Sequence, residues 1–304
     1  MLIGVRMSAG GPDLRWGVEQ RLEFIEFRLF WEGGINRSDI TGFFGVSVPQ
    51  ASKDLTQYQE LAPENVRYDR SEKRYFATGS FRPRFLKPDA DHYLAQLLFA
   101  VDPALHGERT WLTSPPSVDT MPVPNRRVDI TVLRMILAAV RGQASVEVLY
   151  QSMNEQRPEP LWRRISPHAF GSDGFRWHVR AFCHIDNRFK DFLLSRCLEG
   201  RSLGEPAARL EDDRQWRDFF DVKLSPNPRL GENQRKIIAQ DYGMRDGNVT
   251  IPVRRALLYY FKKRLRLDVA DVLDNPHETP VIIINRAEFD AALTIALLDN
   301  KTGR

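Results

Sequence analysis

Side chains that bind anions recur along one stretch of the sequence, from Tyr150 to Arg196. The candidates are Tyr150, Ser152, His168, His178, Arg180, Arg188 and Arg196. Guanidinium groups, imidazoles and hydroxyls that converge on one patch suit an anion, most naturally a phosphate or a nucleic-acid backbone. We expect no partner carboxylate in the strands that carry these residues. The sequence therefore predicts an anion-binding patch.

Each candidate also has a structural alternative. Closing a turn is the alternative for His168, which directly follows a proline, and a place in the core is the alternative for Tyr150. An ion pair with Asp186 or Asp191 is the alternative for Arg180. Cationic residues on an exposed sheet face are often only solvated. The sequence leaves these alternatives open.

A β-hairpin is expected to position most of these residues. From Trp177 to Cys183 the chain alternates as a strand should, which puts His178 and Arg180 on one face. An Asp-Asn pair then supplies turn chemistry, and a second apolar run returns from Phe189 to Leu198. Another strand is predicted upstream, from Ser145 to Met153.

This hairpin resembles a known family of domains. The tripeptide Trp177-His178-Val179, followed by an Arg-aromatic pair, a short turn and Phe-Leu-Leu-Ser-Arg, resembles the WYL domain of bacterial transcription regulators, which is named for a Trp-Tyr-Leu run. His and Val here replace the Tyr and Leu of that run. The run from Arg163 to Phe170 fits the same domain, and the resemblance implies a small Sm/SH3-like β-barrel. The resemblance and the charge of the side chains both point to an anion-binding role most strongly at Arg188 and Arg196.

Length and composition predict a folded protein of two or three domains. The 304 residues are 42% hydrophobic and the formal net charge is only +4, so local basic clusters matter more than a global field. Two cysteines, Cys183 and Cys197, are too few for a disulfide framework and lack metal-ligand spacing, and we expect no cofactor. With no apolar run long enough to span a bilayer and no secretory signal, a cytoplasmic location is expected.

The N-terminal part of the chain has the order of a winged helix-turn-helix domain. Helices are predicted from Leu14 to Trp31, from Arg37 to Phe44 and from Ser47 or Ser52 to about Tyr58, with a glycine-containing turn before the third. Two short strands about a polar turn follow, from Val66 to Thr78, as a wing would. Three short helices and a hairpin also occur in domains that do not bind DNA.

The third helix carries small and amide side chains, which favour contact with DNA over a purely structural role. We expect its outward residues to meet base edges and phosphates, and the wing to lie along phosphates. The predicted DNA-binding residues are Ser47, Gln50, Ser52, Lys53, Thr56 and Gln57 on the helix and Arg70, Lys73 and Arg74 on the wing.

The rest of the chain has less specific patterns. A helix is predicted from Asn125 to Arg141. After Gly204 we expect a mixed α/β domain, with a helix that starts at Pro252 and a final helix from Ala287 to Leu298 that Asn285 caps. Basic residues between positions 254 and 266 form either a solvated helix face, which we favour, or a second nucleic-acid surface.

The predicted fold class is α+β and multidomain. Its parts are a winged helix-turn-helix domain (1–80), a helical connector (81–123), a ligand-sensing WYL barrel (124–203) and a C-terminal α/β dimerisation domain (204–304). No enzyme motif is present. Order and lengths most resemble the CapW and BrxR repressors found beside bacterial antiphage defence operons.

That resemblance implies a homodimeric repressor that binds double-stranded operator DNA. Its operator would be released when an anionic ligand, a nucleotide or single-stranded nucleic acid, reaches the WYL domain. No membrane partner is expected. The alternatives are a constitutive single-strand DNA-binding or RNA-binding protein and a transcription activator of the same architecture.

Overall fold

The computed structural model describes residues 16–101, 110–124, 126–153, 155, 157–270 and 275–301. The chain divides into two compact units, residues 1–122 and 123–304. Within the described ranges, no helix has both the length and the apolar character needed to cross a bilayer.

The first unit is a helical domain with a small sheet. Its elements are α1 (Trp16–Glu32), β1 (Gly34–Ile35), α2 (Arg37–Phe44), α3 (Val48–Leu61), β2 (Val66–Asp69), β3 (Arg74–Ala77) and α4 (Ala90–Val101). The strands are antiparallel, in the order β1-β3-β2. Apolar residues of α1, α2 and α3 share one core with β1 and β2. Helix, short helix, turn, helix and wing follow one another as the sequence predicts.

Local capping chemistry sets the helix-turn-helix. The side chain of Asn36 accepts a hydrogen bond from the amide of Asp39 at the start of α2, and Gly45, with φ of +67°, ends that helix. The hydroxyl of Ser47 accepts the amide of Gln50 at 3.3 Å and starts α3. Of the two predicted starts for α3, the earlier one is therefore correct.

The second unit begins with a helix on a five-stranded sheet. Its first elements are α5 (Ile130–Arg141), β4 (Ser145–Tyr150), β5 (Leu161–Ser172), β6 (Trp177–Cys183), β7 (Arg188–Leu193) and β8 (Cys197–Gly204). All pairs are antiparallel and the order is β7-β6-β5-β4-β8. Apolar residues of α5, among them Val132, Ile136 and Ala139, pack on one face.

Three sequence predictions need correction here. The described strands pair as an open sheet, because no pairing joins β7 to β8, so the predicted closed barrel is not formed and the Sm/SH3-like likeness stays a prediction. The return strand ends at Leu193, and a 3-10 turn, Leu194–Arg196, carries the chain into β8. Helix α5 starts later than predicted because Asp129 accepts the amides of Thr131 and Val132; Asn125 lies outside the described residues.

The C-terminal part of the second unit forms a smaller sheet covered by helices. Its elements are α6 (Arg214–Arg217), β9 (Phe219–Pro226), α7 (Glu232–Asp241), β10 (Val249–Arg254), α8 (Leu258–Arg264), β11 (Val281–Ile283) and α9 (Arg286–Lys301). The strand order is β10-β9-β11, antiparallel throughout. Apolar residues of the sheet pack on α8 and α9.

One local prediction in this part is wrong, and a second is met only in part. Pro252 lies inside strand β10, opposite Asp221, and does not start a helix. A proline is tolerated there because β10 is an edge strand, where one amide of the ladder faces away from the sheet. Asn285 stands at the N-cap position of α9, where its carbonyl accepts the amide of Phe289 at 3.0 Å. Its side chain bonds instead to the backbone of β9, at the amide of Lys223 and the carbonyl of Asp221.

Candidate functional site

The predicted anion-binding residues do not form one patch, because they lie on two faces of the five-stranded sheet. Arg180 stands opposite Asp191 in the hairpin register, whereas Arg188 stands opposite Cys183. Directly opposed residues share a face and neighbouring residues alternate, so His178 and Arg180 point away from the face that α5 covers. Arg188 points to the face that α5 covers. We call the face that carries His178 and Arg180 the hub face. We call the face that carries Arg188 the helix-covered face.

On the hub face, Arg180 is neutralised by two carboxylates. Its Nε donates to Oδ2 of Asp213 at 2.7 Å, its Nη2 to Oδ1 of Asp213 at 3.2 Å and its Nη1 to Oδ1 of Asp191 at 3.2 Å. The side chains of Arg180 and Asp213 are each 1% exposed. The expectation of no partner carboxylate in the same strands is wrong, because Asp191 belongs to the same hairpin. The ion pair named as the alternative is formed.

The two histidines take part in the same buried network. Nε2 of His168 lies 3.2 Å from Oδ2 of Asp213, and the His168 ring packs edge-on against Phe189, with ring centroids 5.4 Å apart. The ring of His178 packs on Tyr260 at 4.8 Å, and Tyr260 donates its hydroxyl hydrogen to Asp191 at 3.1 Å. Within the described residues, these groups join the sheet to the segment that follows it.

Arg180 and Asp213 keep their charges in this network because each stabilises the charge of the other. Burial alone would raise the pKa of Asp213, but the hydrogen bonds from His168 and Arg180 outweigh it and lower the pKa to about 2. Burial lowers the pKa of His178, so a neutral ring is favoured at that position. Burial likewise raises the pKa of Tyr260, helped by the charge of Asp191.

On the helix-covered face, Tyr150 and Arg196 lie together. The Tyr150 ring packs edge-on against Phe192 at 5.0 Å, and its hydroxyl oxygen accepts the amide of Leu193 at 3.3 Å. Burial raises the pKa of Tyr150, while hydrogen bonds from the Leu193 amide and the Arg196 side chain lower it. Ser152 follows the end of β4 and is half-buried.

Arg188 differs from the other two arginine candidates, Arg180 and Arg196. Nε and Nη1 of Arg188 are buried, yet neither has a hydrogen-bond partner among the described residues. His168 also has buried ring nitrogens without hydrogen bonds, but one of them lies 3.2 Å from a carboxylate oxygen of Asp213. Leaving a buried donor unpaired costs roughly 1–3 kcal/mol, and more for a charged group, so such atoms are rare in folded proteins. The two unpaired nitrogens of Arg188 favour an anion as the missing partner.

Sequence reasoning missed the charged cluster at the same end of the sheet. The carboxylate of Asp186 accepts hydrogen bonds from Arg163 Nη1 at 2.9 Å, Lys190 Nζ at 2.7 Å and Arg157 Nη1 at 3.1 Å. Burial opposes ionisation of Asp186, but these cations hold its pKa well below the usual range. Together with Arg188, the cluster has more cations than carboxylates. Arg163 and Lys190 lie in predicted strands. The alternation of residues along those strands was the signal in the sequence that could have placed both side chains on one face.

The predicted DNA-reading helix presents only part of its expected surface. Ser47, Lys53 and Thr56 are exposed, and Ser52 is half-buried, as is Gln57. Gln50 is also half-buried, and its Nε2 donates to Oδ1 of Asp54 at 2.9 Å. Asp54 is itself held by Arg21 at 2.7 Å. The Gln50 amide is therefore already engaged within the domain.

The wing residues divide in the same way. Arg70 and Lys73 are exposed at its turn, where Lys73 has φ of 50°. Arg74 is half-buried: its Nη2 donates to the carbonyl of Gly34 at 3.0 Å, and its guanidinium lies 5.6 Å from the Phe76 ring centroid. Arg74 is thereby fixed to β1, whereas the two exposed cations are free to approach a phosphate.

Some of the basic residues near α8 pair with acids, and another bonds to a backbone carbonyl. Lys263 pairs with Asp268 at 2.6 Å, and Arg266 with Glu278 at 3.3 Å. Arg264 donates to the carbonyl of Asp173 at 2.7 Å. These contacts agree with the structural alternative for the cluster.

Metal-binding geometry is not found where the structure describes the chain. No group of His, Cys, Asp or Glu in those ranges is placed to hold a metal ion. Cys183 and Cys197 are buried free thiols, and burial raises the pKa of Cys197 to about 12, which makes it a poor nucleophile.

Known proteins match the chain almost from end to end. Residues 17–99 match the winged helix-turn-helix domain of the BrxR transcriptional regulator, residues 131–200 the WYL domain, and residues 219–289 the C-terminal dimerization domain of the BrxR transcriptional regulator. One solved structure, proteasome accessory factor B/C of Arthrobacter aurescens, is 20% identical over 57% of this chain and 29% of that chain; its TM-score of 0.22 supports no structural argument.

Three curated relatives bear the same name, DNA-binding transcriptional repressor CapW. The protein from Escherichia coli strain KTE188 is 40% identical, that from Pseudomonas aeruginosa 41% and that from Stenotrophomonas maltophilia 37%. The matches cover 93%, 93% and 92% of this chain and 94% of each relative. The predicted resemblance is thus confirmed, and these descriptions are of regulators, not enzymes. The chain belongs to the CapW family of WYL-domain transcriptional repressors.

Proposed function

We propose that this protein is a homodimeric, sequence-specific repressor that releases its operator when an anionic ligand binds the WYL domain. The relatives' name supports operator binding, and the match of residues 219–289 to a dimerization domain supports the homodimer. The proposed division of labour is DNA binding by residues 1–80, connection by 81–123, sensing by 124–203 and dimerisation by 204–304. The family likeness points to an antiphage defence operon as the regulated target.

In this proposal α3 lies in the major groove. Its exposed Lys53 and Thr56, with Ser52 and Gln57, meet the DNA, while Arg70 and Lys73 of the wing contact phosphates. A dimer would hold two such helices about one helical turn, roughly 34 Å, apart on a palindromic site. Ser47 caps the helix where it would approach a phosphate.

A mobility-shift titration on the DNA upstream of the gene tests operator binding. At about 150 mM salt, the upstream fragment should be retained over random duplex by roughly a thousandfold or more, the lower range of specific binding. Lys53→Ala should weaken binding, whereas Lys236→Ala, which removes an exposed lysine of α7, should not. Equal retention of both DNAs would contradict the operator proposal and favour constitutive nucleic-acid binding. If the expression of a reporter gene behind this upstream DNA increased when the protein was present, the protein would instead be an activator.

The ligand part of the proposal rests on one observation, the buried unpaired nitrogens of Arg188. A phosphate or other oxyanion would satisfy them. Tyr150 lies on the same helix-covered face but by Leu193, the last residue of β7, whereas Arg188 is the first. A ligand that binds better to one dimer arrangement than to the operator-bound one must weaken operator binding by that same difference in free energy.

Replacing the two arginines separates sensing from DNA binding. Arg188→Ala or Arg196→Ala should leave operator affinity unchanged and abolish release by single-stranded hexathymidylate or by pyrophosphate. Arg201→Ala is the matched control, because Arg201 is 54% exposed on β8 of the same sheet. Loss of operator binding in the Arg188 or Arg196 variant, or release that persists in it, would contradict the proposed sensing role.

A further inference from the structure

Asp186 is an unusually well-held carboxylate for a turn residue. It lies between β6 and β7, yet its side chain is only 4% exposed. Arg163 and Lys190 both donate to its Oδ2, at 2.9 and 2.7 Å, and Arg157 donates to its Oδ1 at 3.1 Å. Charge-assisted hydrogen bonds of this kind are the strong ones in proteins.

The cations around Asp186 belong to the same site as Arg188. Lys190 is two residues further along β7, which places both side chains on one face of the strand. Nη1 of Arg163 lies 3.6 Å from Sγ of Cys183, the residue directly opposite Arg188. Arg163 also has a buried Nε without a partner among the described residues. The site thus keeps unpaired hydrogen-bond donors even when Asp186 occupies its three cationic partners.

We infer that Asp186 is a built-in competitor: its carboxylate occupies Arg163 and Lys190 until the phosphate of a ligand displaces it, after which both cations bind that phosphate. This inference rests on the proposed sensing function and adds the residue that sets its threshold. Arg188 would supply the unpaired donors that the phosphate binds without displacing a carboxylate.

The chemistry of the exchange favours a phosphate over the resident carboxylate. Pyrophosphate or a terminal phosphate presents more acceptor oxygens and more negative charge than one carboxylate, so it can engage Arg188 together with Arg163 and Lys190. A phosphodiester carries one charge, like a carboxylate, but a single strand presents several of them in succession. The neighbouring Asn187 is exposed and has φ of 50°. The outermost partner of Asp186 is Arg157, whose side chain is 39% exposed. Asp186 lies outside the paired positions of β6 and β7, so its side chain can leave its partners without breaking a hydrogen bond of the sheet.

A purely structural carboxylate predicts the opposite result. If Asp186 only neutralised buried cations, its removal would loosen the site, and anion affinity would fall. If Asp186 competes with the ligand, its removal frees two cations and anion affinity rises. The direction of the change therefore decides between the two roles.

The test is isothermal titration of the full-length protein with inorganic pyrophosphate and, separately, with single-stranded hexathymidylate. Asp186→Asn keeps the size of the side chain and removes its charge. We expect it to bind at least one probe about tenfold more tightly than the wild type. Asp186→Ser serves as a second variant, and thermal melts should show that added probe stabilises either variant more than it stabilises the wild type. Binding of both probes would identify phosphate itself as the determinant; binding of hexathymidylate alone would identify nucleic acid.

Each outcome separates this inference from the proposal beneath it. If the wild type binds and Arg188→Ala does not, but both Asp186 variants bind equally or more weakly, Asp186 is structural and the sensing site stands. If neither the wild type nor the Asp186 variants bind either probe, or if Arg188→Ala binds as the wild type does, the sensing proposal fails and the inference fails with it.

Discussion

Arg180 and Arg188 sit on the two arms of one hairpin, and their surroundings differ in charge balance. Arg180 on the hub face is 1% exposed and bonded to Asp191 and Asp213. Arg188 on the helix-covered face has two buried nitrogens without partners among the described residues. An arginine in a half-buried strand is therefore not by itself a sign of a ligand site. Cations in excess of the carboxylates that reach them are the more specific sign.

The largest expected effect is on stability, from the hub face. Arg180→Met would leave Asp213 and Asp191 buried without their main counter-ion, which typically costs about 3–5 kcal/mol of unfolding free energy. Urea denaturation at pH 7 measures this loss. Arg188→Met, the matched change on the other face, should cost less than about 1 kcal/mol, because it removes unsatisfied donors together with their charge. Equal losses for the two variants would show that the two arginines do not differ in how well their charges are balanced.

A smaller effect is expected from acid on the same network. The pKa of Asp213 is about 2 in the folded protein, below the value near 3.9 of an unfolded aspartate. Its stabilisation is therefore complete above about pH 5 and is lost as the pH falls through 2, with a total of about 2–3 kcal/mol. Asp213→Asn should be less stable at pH 7, and its difference from the wild type should shrink over that window. A difference independent of pH would exclude this origin.

The smallest effect is expected at the rim of the cation-rich cluster. Arg157 is 39% exposed and reaches Asp186 at 3.1 Å, and ion pairs at such positions contribute roughly 0–1 kcal/mol. Arg157→Gln should therefore change the unfolding free energy by less than about 1 kcal/mol in urea denaturation. Arg163→Gln is the matched buried change, at 4% exposed, and should cost more. A larger loss of unfolding free energy at Arg157 than at Arg163 would show that burial does not determine how much each ion pair contributes.

Local signals in the sequence predicted the elements but not what covers them. Ser47 marks the start of α3, and the alternation from Trp177 marks strand β6, because both depend on neighbouring residues. Asp213 is 33 positions from Arg180, and no local pattern shows that the two meet. The sequence-based prediction placed His178 and Arg180 in an anion-binding patch for this reason.

Other differences have similar long-range causes. The helix predicted from Pro252 is an edge strand because β9 pairs with it through Asp221 and its neighbours. The cation cluster was missed because Asp186 looks like an ordinary turn residue in the sequence. Its partners come from three separate segments, so no local pattern shows that they meet. Arg188 was chosen from charge and from the family likeness, and its unpaired nitrogens became visible only in the structure.

The most direct test of the regulatory account is the reciprocity between operator and anion. Fluorescence anisotropy would give the operator Kd of the full-length protein with and without saturating hexathymidylate, and calorimetry the hexathymidylate Kd with and without operator. We expect each partner to weaken binding of the other by the same factor, as linkage requires. We expect Arg188→Ala to remove this coupling while keeping operator affinity. An operator Kd that hexathymidylate leaves unchanged in the wild type, despite binding, would contradict release by this ligand.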